Sequence, residues 1–271
     1  MQESGNDIGI MRAALEWYSA MGVDMALSDE PVDRFAAPAS VQKTAPASMP
    51  SSAQTTTDAP APTQTHMQPE VHNVEEAKAL AAAATTLDAL REAMDGFEGC
   101  PLKHRATNLV FAAGNPDADI MLVGEAPGRE EDMQGAPFVG RSGELLDRIL
   151  AAIGLNREKV FIANTLPWRP PGNRNPTPAE TAVCLPFLVR QVELVAPKVI
   201  VTMGGAASKT LLKTEAGILR LRGKWKDIEV GEHSCTSIAT LHPTYLLSQP
   251  AQKALVWRDM LSLKAKMATF E

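Results

Sequence analysis

Residues 119–128 read DIMLVGEAPG. Residues 119–123 bring four apolar residues together behind Asp119, the length and composition of a strand buried on both faces. Gly124, Pro127 and Gly128 then end it in a loop. The pattern recurs downstream. KVFIAN (159–164), KVIVTMG (198–204), RGKWKDIEV (222–230) and TSIATLH (236–242) read as strands. Between and after them lie helical stretches: GELLDRILAAIGL (143–155), PAETAVCLPFLVRQVELV (178–195) with an internal Pro186, GAASKTLLK (205–213), and a final helix over 252–270. Strands alternating with helices imply a mostly parallel central sheet covered on both faces, an α/β fold of the three-layer α/β/α sandwich type.

Upstream the chain changes character. Residues 74–97 read as two helical pieces, the second opened by a cap at Thr86–Asp88. Residues 29–73 are rich in Ala, Pro, Ser and Thr and lack periodicity, which predicts a disordered linker. Residues 1–28 carry an amphipathic helix around Met11, Leu15, Tyr18 and Met21. It either docks on a protein partner or packs on its own domain. The expected division is thus a helix over 1–28, a linker over 29–73 and a folded domain over 74–271.

Of 271 residues, 45% are hydrophobic and 21% charged, enough for a core and too apolar for a wholly disordered chain. No apolar run reaches the length of a membrane span, and the first residues lack the basic and apolar regions of a secretory signal. Cys100, Cys184 and Cys235 are too few and scattered for a disulfide framework, so a reducing, cytoplasmic setting is expected. Residues 1–96 hold 5 basic and 14 acidic side chains, and residues 97–271 hold 21 and 18. That small basic surplus does not by itself identify a partner.

Open α/β sheets bind ligands beyond the carboxyl ends of their strands. Here those ends deliver the Gly124–Gly128 loop with Glu125, then Asn164, then Met203–Gly205, then His242 in LHPTYL. Alone, an Asn at a strand end usually caps a turn and a His is usually a satisfied buried residue. Several on one rim point to a site. The GEAPG loop lacks the Lys-Ser/Thr of a phosphate-binding P-loop and the spacing of a dinucleotide fingerprint. Glu130, Glu131 and Asp132 read as a solvated acidic loop. Phe138, set among glycines and a proline, is a candidate stacking surface for a planar ring. The stiff loop TLPWRPPGNRNPTPAE (165–180) carries Arg169 and Arg174, suited to backbone phosphates, and Thr177 before Pro178, suited to a helix cap.

VGEAPGREEDMQGAPFVGRSGELLDRILAAIGL, VFIANTLPWRPPGNRNPTPAE, PKVIVTMGGAASKTLL, RGKW and TLHPTYLL, in this order, resemble family 4 uracil-DNA glycosylases from about Phe97 to Asp259. The resemblance implies an enzyme that everts uracil from DNA and hydrolyses its N-glycosidic bond, the first step of base excision repair. It implies that Phe138 stacks on the base, Asn164 reads its O4 and N3–H, and backbone groups at Gly124, Glu125 and Ala126 meet O2. His242 would stabilise O2 as charge develops. Asn173 would act near the sugar and water, with Glu125 assisting. Glu131 would stand against C5, Ser142 and Gly143 near a phosphate, and Leu246 and Leu247 would fill the vacated stack.

The same resemblance implies a four-cysteine iron–sulfur cluster, yet its four positions read Phe97, Cys100, Trp168 and Cys184. Two thiolates retain a cubane poorly, so loss of the cluster is expected, with the aromatics filling its volume and the two thiols close together. A replacement ligand such as His104 is disfavoured against simple loss. DNA is the expected partner, and the chain is expected to act as a monomer. A non-catalytic DNA-binding or polymerase-associated module, and a Mg²⁺-dependent nucleotide hydrolase, are the rival readings.

Overall fold

A computed structural model describes residues 69–270 of the chain. The helix expected over residues 1–28, and the linker up to residue 68, lie outside the described residues.

Helix α1 (Pro69–Ala83) starts five residues before the expected order at Val74. Proline suits a first helical position because the amide hydrogen it lacks would have no intrahelical partner there. Helix α2 (Leu87–Gly96) opens on Thr86, whose hydroxyl accepts the Ala89 N–H, as the cap signal predicts.

The sheet contains six strands: β1 (Ala113–Gly114), β2 (Ile120–Gly124), β3 (Phe161–Asn164), β4 (Val199–Met203), β5 (Trp225–Val230) and β6 (His233–Thr240). Their order is β1-β3-β2-β4-β6-β5. The inner four run parallel, and the edges β1 and β5 run antiparallel. Helices α3 (Arg129–Gln134), α4 (Gly140–Ala152), α5 (Pro178–Val195), α6 (Gly205–Leu212), α7 (Ile218–Leu221), α8 (Pro243–Ser248) and α9 (Lys253–Met267) complete the fold.

Side-chain alternation divides the core. Ile120, Leu122, Ile162, Val199, Val201 and Ile238 pack against α4, α8 and α9 through Leu146, Leu150, Leu246, Val256 and Met260. Met121, Val123, Phe161, Ala163, Ile200 and Ala239 pack against α5 and α6 through Leu188, Val192, Ala207 and Leu211. This is the expected three-layer α/β/α sandwich. A third cluster joins α1 and α2 to α5 and the loop after β3.

Local expectations change at two places, and one unassigned stretch proves helical. The acidic run 130–132 forms α3 rather than a solvated loop, because Asp132 turns inward and accepts the Thr107 and Asn108 N–H groups at 2.7 and 3.2 Å. The stretch after His242 forms α8. Helix α4 begins at Gly140, three residues early. By contrast, α5 spans its expected residues, opened by a Thr177–Glu180 capping box with Pro178 in its first turn.

Candidate active site

Parallel register brings Gly124 of β2 beside Asn164 of β3, at the carboxyl edge of the sheet. Gly124 must be glycine: a Cβ there would stand 2.3 Å from Asn164 Oδ1 and 2.7 Å from the Phe138 ring. Amide and ring therefore close over the same bare backbone. The Phe138 ring also lies 5.2 Å from the His242 ring, the planes inclined by 29°. That is aromatic contact distance, with no space for a base between them. Phe138, Asn164 and His242 thus meet at one rim. Phe138 and Asn164 are 3% and 7% exposed and form a buried layer. A cavity of about 280 Å³ opens beside it, lined among others by Glu125, Ala126, Glu131, Ser142, Asn173 and His242.

His242 has a defined chemical state. It caps α8, and its Nδ1 accepts the Thr244 N–H at 3.2 Å. The ring proton therefore sits on Nε2, which becomes a donor. Burial lowers its pKa to about 4, so the imidazole is neutral near pH 7. Burial raises the carboxyl groups of Glu125 and Glu131. Glu131 folds back so that Oε2 accepts the Gly128 N–H at 3.1 Å, while still lining the cavity.

Two residues here adopt left-handed backbone without being glycine, Phe138 of the buried layer (φ 51°) and Asn173 of the cavity lining (φ 54°). That conformation costs an L-residue roughly 1–2 kcal/mol, and each is tied to an arginine. Arg157 donates to the Pro137 carbonyl at 3.3 Å and to the Phe138 carbonyl, and is itself held by Asp147 at 2.7 Å. Nothing in the sequence around Arg157 marked it, because its partners lie about 20 residues away. Arg169 Nε donates to Asn173 Oδ1 at 2.7 Å.

The residues expected to meet DNA divide. Ser142 lines the cavity in the first turn of α4. Gly143 is buried under Phe138, whose carbonyl oxygen would lie 1.9 Å from an added Cβ, so its role is close packing. Arg174 forms a two-point pair with Glu180 at 2.9 and 2.5 Å, and Arg169 faces Asn173. Both arginines thus have partners inside the protein. Leu246 is fully buried in the core and cannot be a wedge, whereas Leu247 and the unanticipated Tyr245 are exposed. The correction follows from α8: in a helix, consecutive leucines face different directions.

The four cluster positions do converge. Phe97 and Trp168 are 0% and 1% exposed, with ring centroids 6.5 Å apart, and Phe187 packs edge-on against Phe97 at 5.2 Å. Gly99 leaves the space that the Phe97 ring fills, since a Cβ there would stand 2.4 Å from the ring. Cys100 and Cys184 lie 3.7 Å apart, sulfur to sulfur. Contact with Cys100 and burial push the Cys184 thiol up. Two thiols beside two packed rings do not fit a four-thiolate cluster. Among the described residues no group of three or more His, Cys, Asp or Glu side chains could hold a metal ion.

The model of the uracil DNA glycosylase superfamily matches residues 111–261, and the chain belongs to that superfamily. The similarity is to its type-4 uracil-DNA glycosylases. That of Archaeoglobus fulgidus is 45% identical over 167 residues, 60% of this chain and 83% of the relative. That of Thermotoga maritima is 42% identical over 162 residues, 59% and 83% respectively. That of Sulfurisphaera tokodaii is 36% identical over 184 residues, 66% and 84%. No helix among the described residues is long and apolar enough to cross a membrane.

Proposed function

We propose that the protein is a uracil-DNA glycosylase that hydrolyses the N-glycosidic bond of uracil everted from DNA and leaves an abasic site. The observation that carries this reading is the meeting of Phe138, Asn164 and a neutral His242 beside one cavity. An everted base enters that cavity against the aromatic wall. The Asn164 amide offers one acceptor and two donors, enough to satisfy N3–H and O4 together. His242 Nε2–H donates to O2. As the bond breaks, negative charge grows on the base and positive charge on the sugar. A fixed donor at O2 strengthens as that charge develops, which is how preorganised donors lower a barrier. Being neutral, the imidazole stabilises the leaving anion as a hydrogen-bond donor without itself carrying a charge.

Backbone groups of Gly124, Glu125 and Ala126 line the O2 side, and Glu131 stands toward C5. Glu125 and Asn173 face the sugar and water. Ser142 meets a phosphate through the first turn of α4, and Leu247 with Tyr245 fills the vacated stack. DNA is the substrate. The chain works as a monomer in a reducing compartment, in keeping with its free cysteines. It works without an iron–sulfur cluster, packing having replaced ligation around Phe97 and Trp168. Anaerobically purified protein then contains no stoichiometric iron and no visible cluster absorbance; one cluster equivalent per chain would refute this.

The activity is tested by incubating the protein with uracil-containing single- and double-stranded oligonucleotides without added metal. Release of free uracil with an alkali-labile site is expected. Tight DNA binding without release would favour a non-catalytic module.

A further inference from the structure

Arg169 sits in a proline-stiffened loop that would suit a contact with DNA phosphate, yet its guanidinium is engaged within the protein. Nε donates to Asn173 Oδ1 at 2.7 Å, and Nη1 lies 4.0 Å from Asp132 Oδ2. Asp132 is 3% exposed. Its Oδ1 accepts the Thr107 and Asn108 N–H groups at 2.7 and 3.2 Å, and Asn108 Nδ2 donates to its backbone carbonyl at 2.7 Å. A carboxylate anchored to backbone thus faces a guanidinium, which holds an amide at the cavity wall. Asn173, in left-handed conformation, lines the cavity together with Glu125 and His242.

A side-chain amide has an acceptor end and a donor end. The Arg169 Nε–H occupies Oδ1 and so fixes which way the amide faces. It also places positive charge beside that oxygen, which makes its remaining lone pair a poorer acceptor for a proton from water. Nδ2–H₂ is the end left to act on a substrate. We propose that Arg169, backed by Asp132, is a positioning residue that locks Asn173 as a hydrogen-bond donor toward the scission site, rather than a phosphate contact. The inference rests on the glycosylase reading and deepens it: Asn173 serves the reaction by donating, and its geometry is set by two residues that never touch DNA.

The test compares wild type, Arg169→Gln, Arg169→Lys, Asn173→Ala and the Arg169→Gln/Asn173→Ala double variant, all in the full chain. Two quantities are read: single-turnover uracil release, and the salt dependence of binding to uracil-free DNA. Misplacing a reacting group costs up to about 100-fold. Arg169→Gln is expected to lose rate on that scale, Arg169→Lys to recover part of it, and Arg169→Gln to add nothing once Asn173 is alanine. The salt slope of binding is expected to stay unchanged. A slope reduced by about 0.9, the loss of one phosphate contact, would overturn the inference. So would equal losses with and without Asn173. The Arg169 Nε proton gives a readout independent of activity: a slowly exchanging NMR signal in wild type that exchanges faster in Asn173→Ala. Wild type that keeps this signature but releases no uracil would overturn the glycosylase reading alone. An unchanged signature in Asn173→Ala would overturn the inference alone.

Discussion

The cavity at the carboxyl edge of the sheet and the cluster beneath α1 and α2 are built on opposite principles. At the rim, residues stand in states that cost energy: the backbones of Phe138 and Asn173 are left-handed, and His242 is a desolvated imidazole. Beneath α1 and α2, Phe97, Trp168 and Phe187 are buried and packed, and the thiols of Cys100 and Cys184 lie together. The first arrangement stores strain that a relaxed one would lack, as functional sites commonly do. The second makes sense as cohesion: fully burying a large apolar side chain contributes about 1.5–3 kcal/mol, and both rings are buried. The rim thus carries strain and desolvation, while the outer helices are held by packing.

If that division holds, substitutions at the rim and in the packed cluster should give different signatures. The largest effect is expected at the rim. Asn164→Ala and His242→Ala each lower single-turnover uracil release on the order of 10²–10³-fold, with thermal unfolding showing at most the loss of a helix cap for His242. Next comes the packed cluster. Phe97→Ala or Trp168→Ala destabilises by about 3–5 kcal/mol in denaturant unfolding, while the fraction that remains folded releases uracil at the wild-type rate. A rate loss without a stability loss in Phe97→Ala would erase the contrast.

Acid should separate the two regions as well. His242 titrates near pH 4 in the folded chain against an ordinary value of 6.5. The unfolded chain therefore binds the extra proton first as pH falls through that interval. This contribution favours unfolding progressively from about pH 6.5 to about pH 4 and levels off below it. The acid limb of the cleavage rate should fall near pH 4 rather than near 6.5, and His242→Ala should remove that limb from the residual activity. The smallest effect is expected outside both regions: removing residues 1–68 leaves the rate unchanged, checked on the same oligonucleotides.

Much of this could be read from the chain. Short apolar runs at 120–123, 160–163 and 199–201, set between helical patterns, mark buried strands of a parallel sheet, so the layers and the ligand edge follow from them. Asn164 and His242 were legible because they fall at strand ends. What escaped depended on contacts distant in sequence or on helices too short to show a period. Arg157 and Asp132 act on partners about 20 to 25 residues away. Helices α3 and α8 have six residues each, too few for apolar spacing to declare a face. Hence Glu130–Asp132 read as a loop, and Leu246 read as a wedge when it is core. Arg169 and Arg174 carried the right charge for DNA, but sequence composition could not reveal that Asn173 and Glu180 already receive their hydrogen bonds.

The central claim is that the meeting of Phe138, Asn164 and His242 cleaves uracil from DNA. Its most direct measurement is chromatographic detection of free base after single-turnover incubation of wild type with a uracil-containing oligonucleotide and its thymine counterpart. The account predicts stoichiometric uracil, no thymine, and collapse of the uracil signal in Asn164→Ala. Absence of uracil from wild type, or equal release by Asn164→Ala, would contradict it.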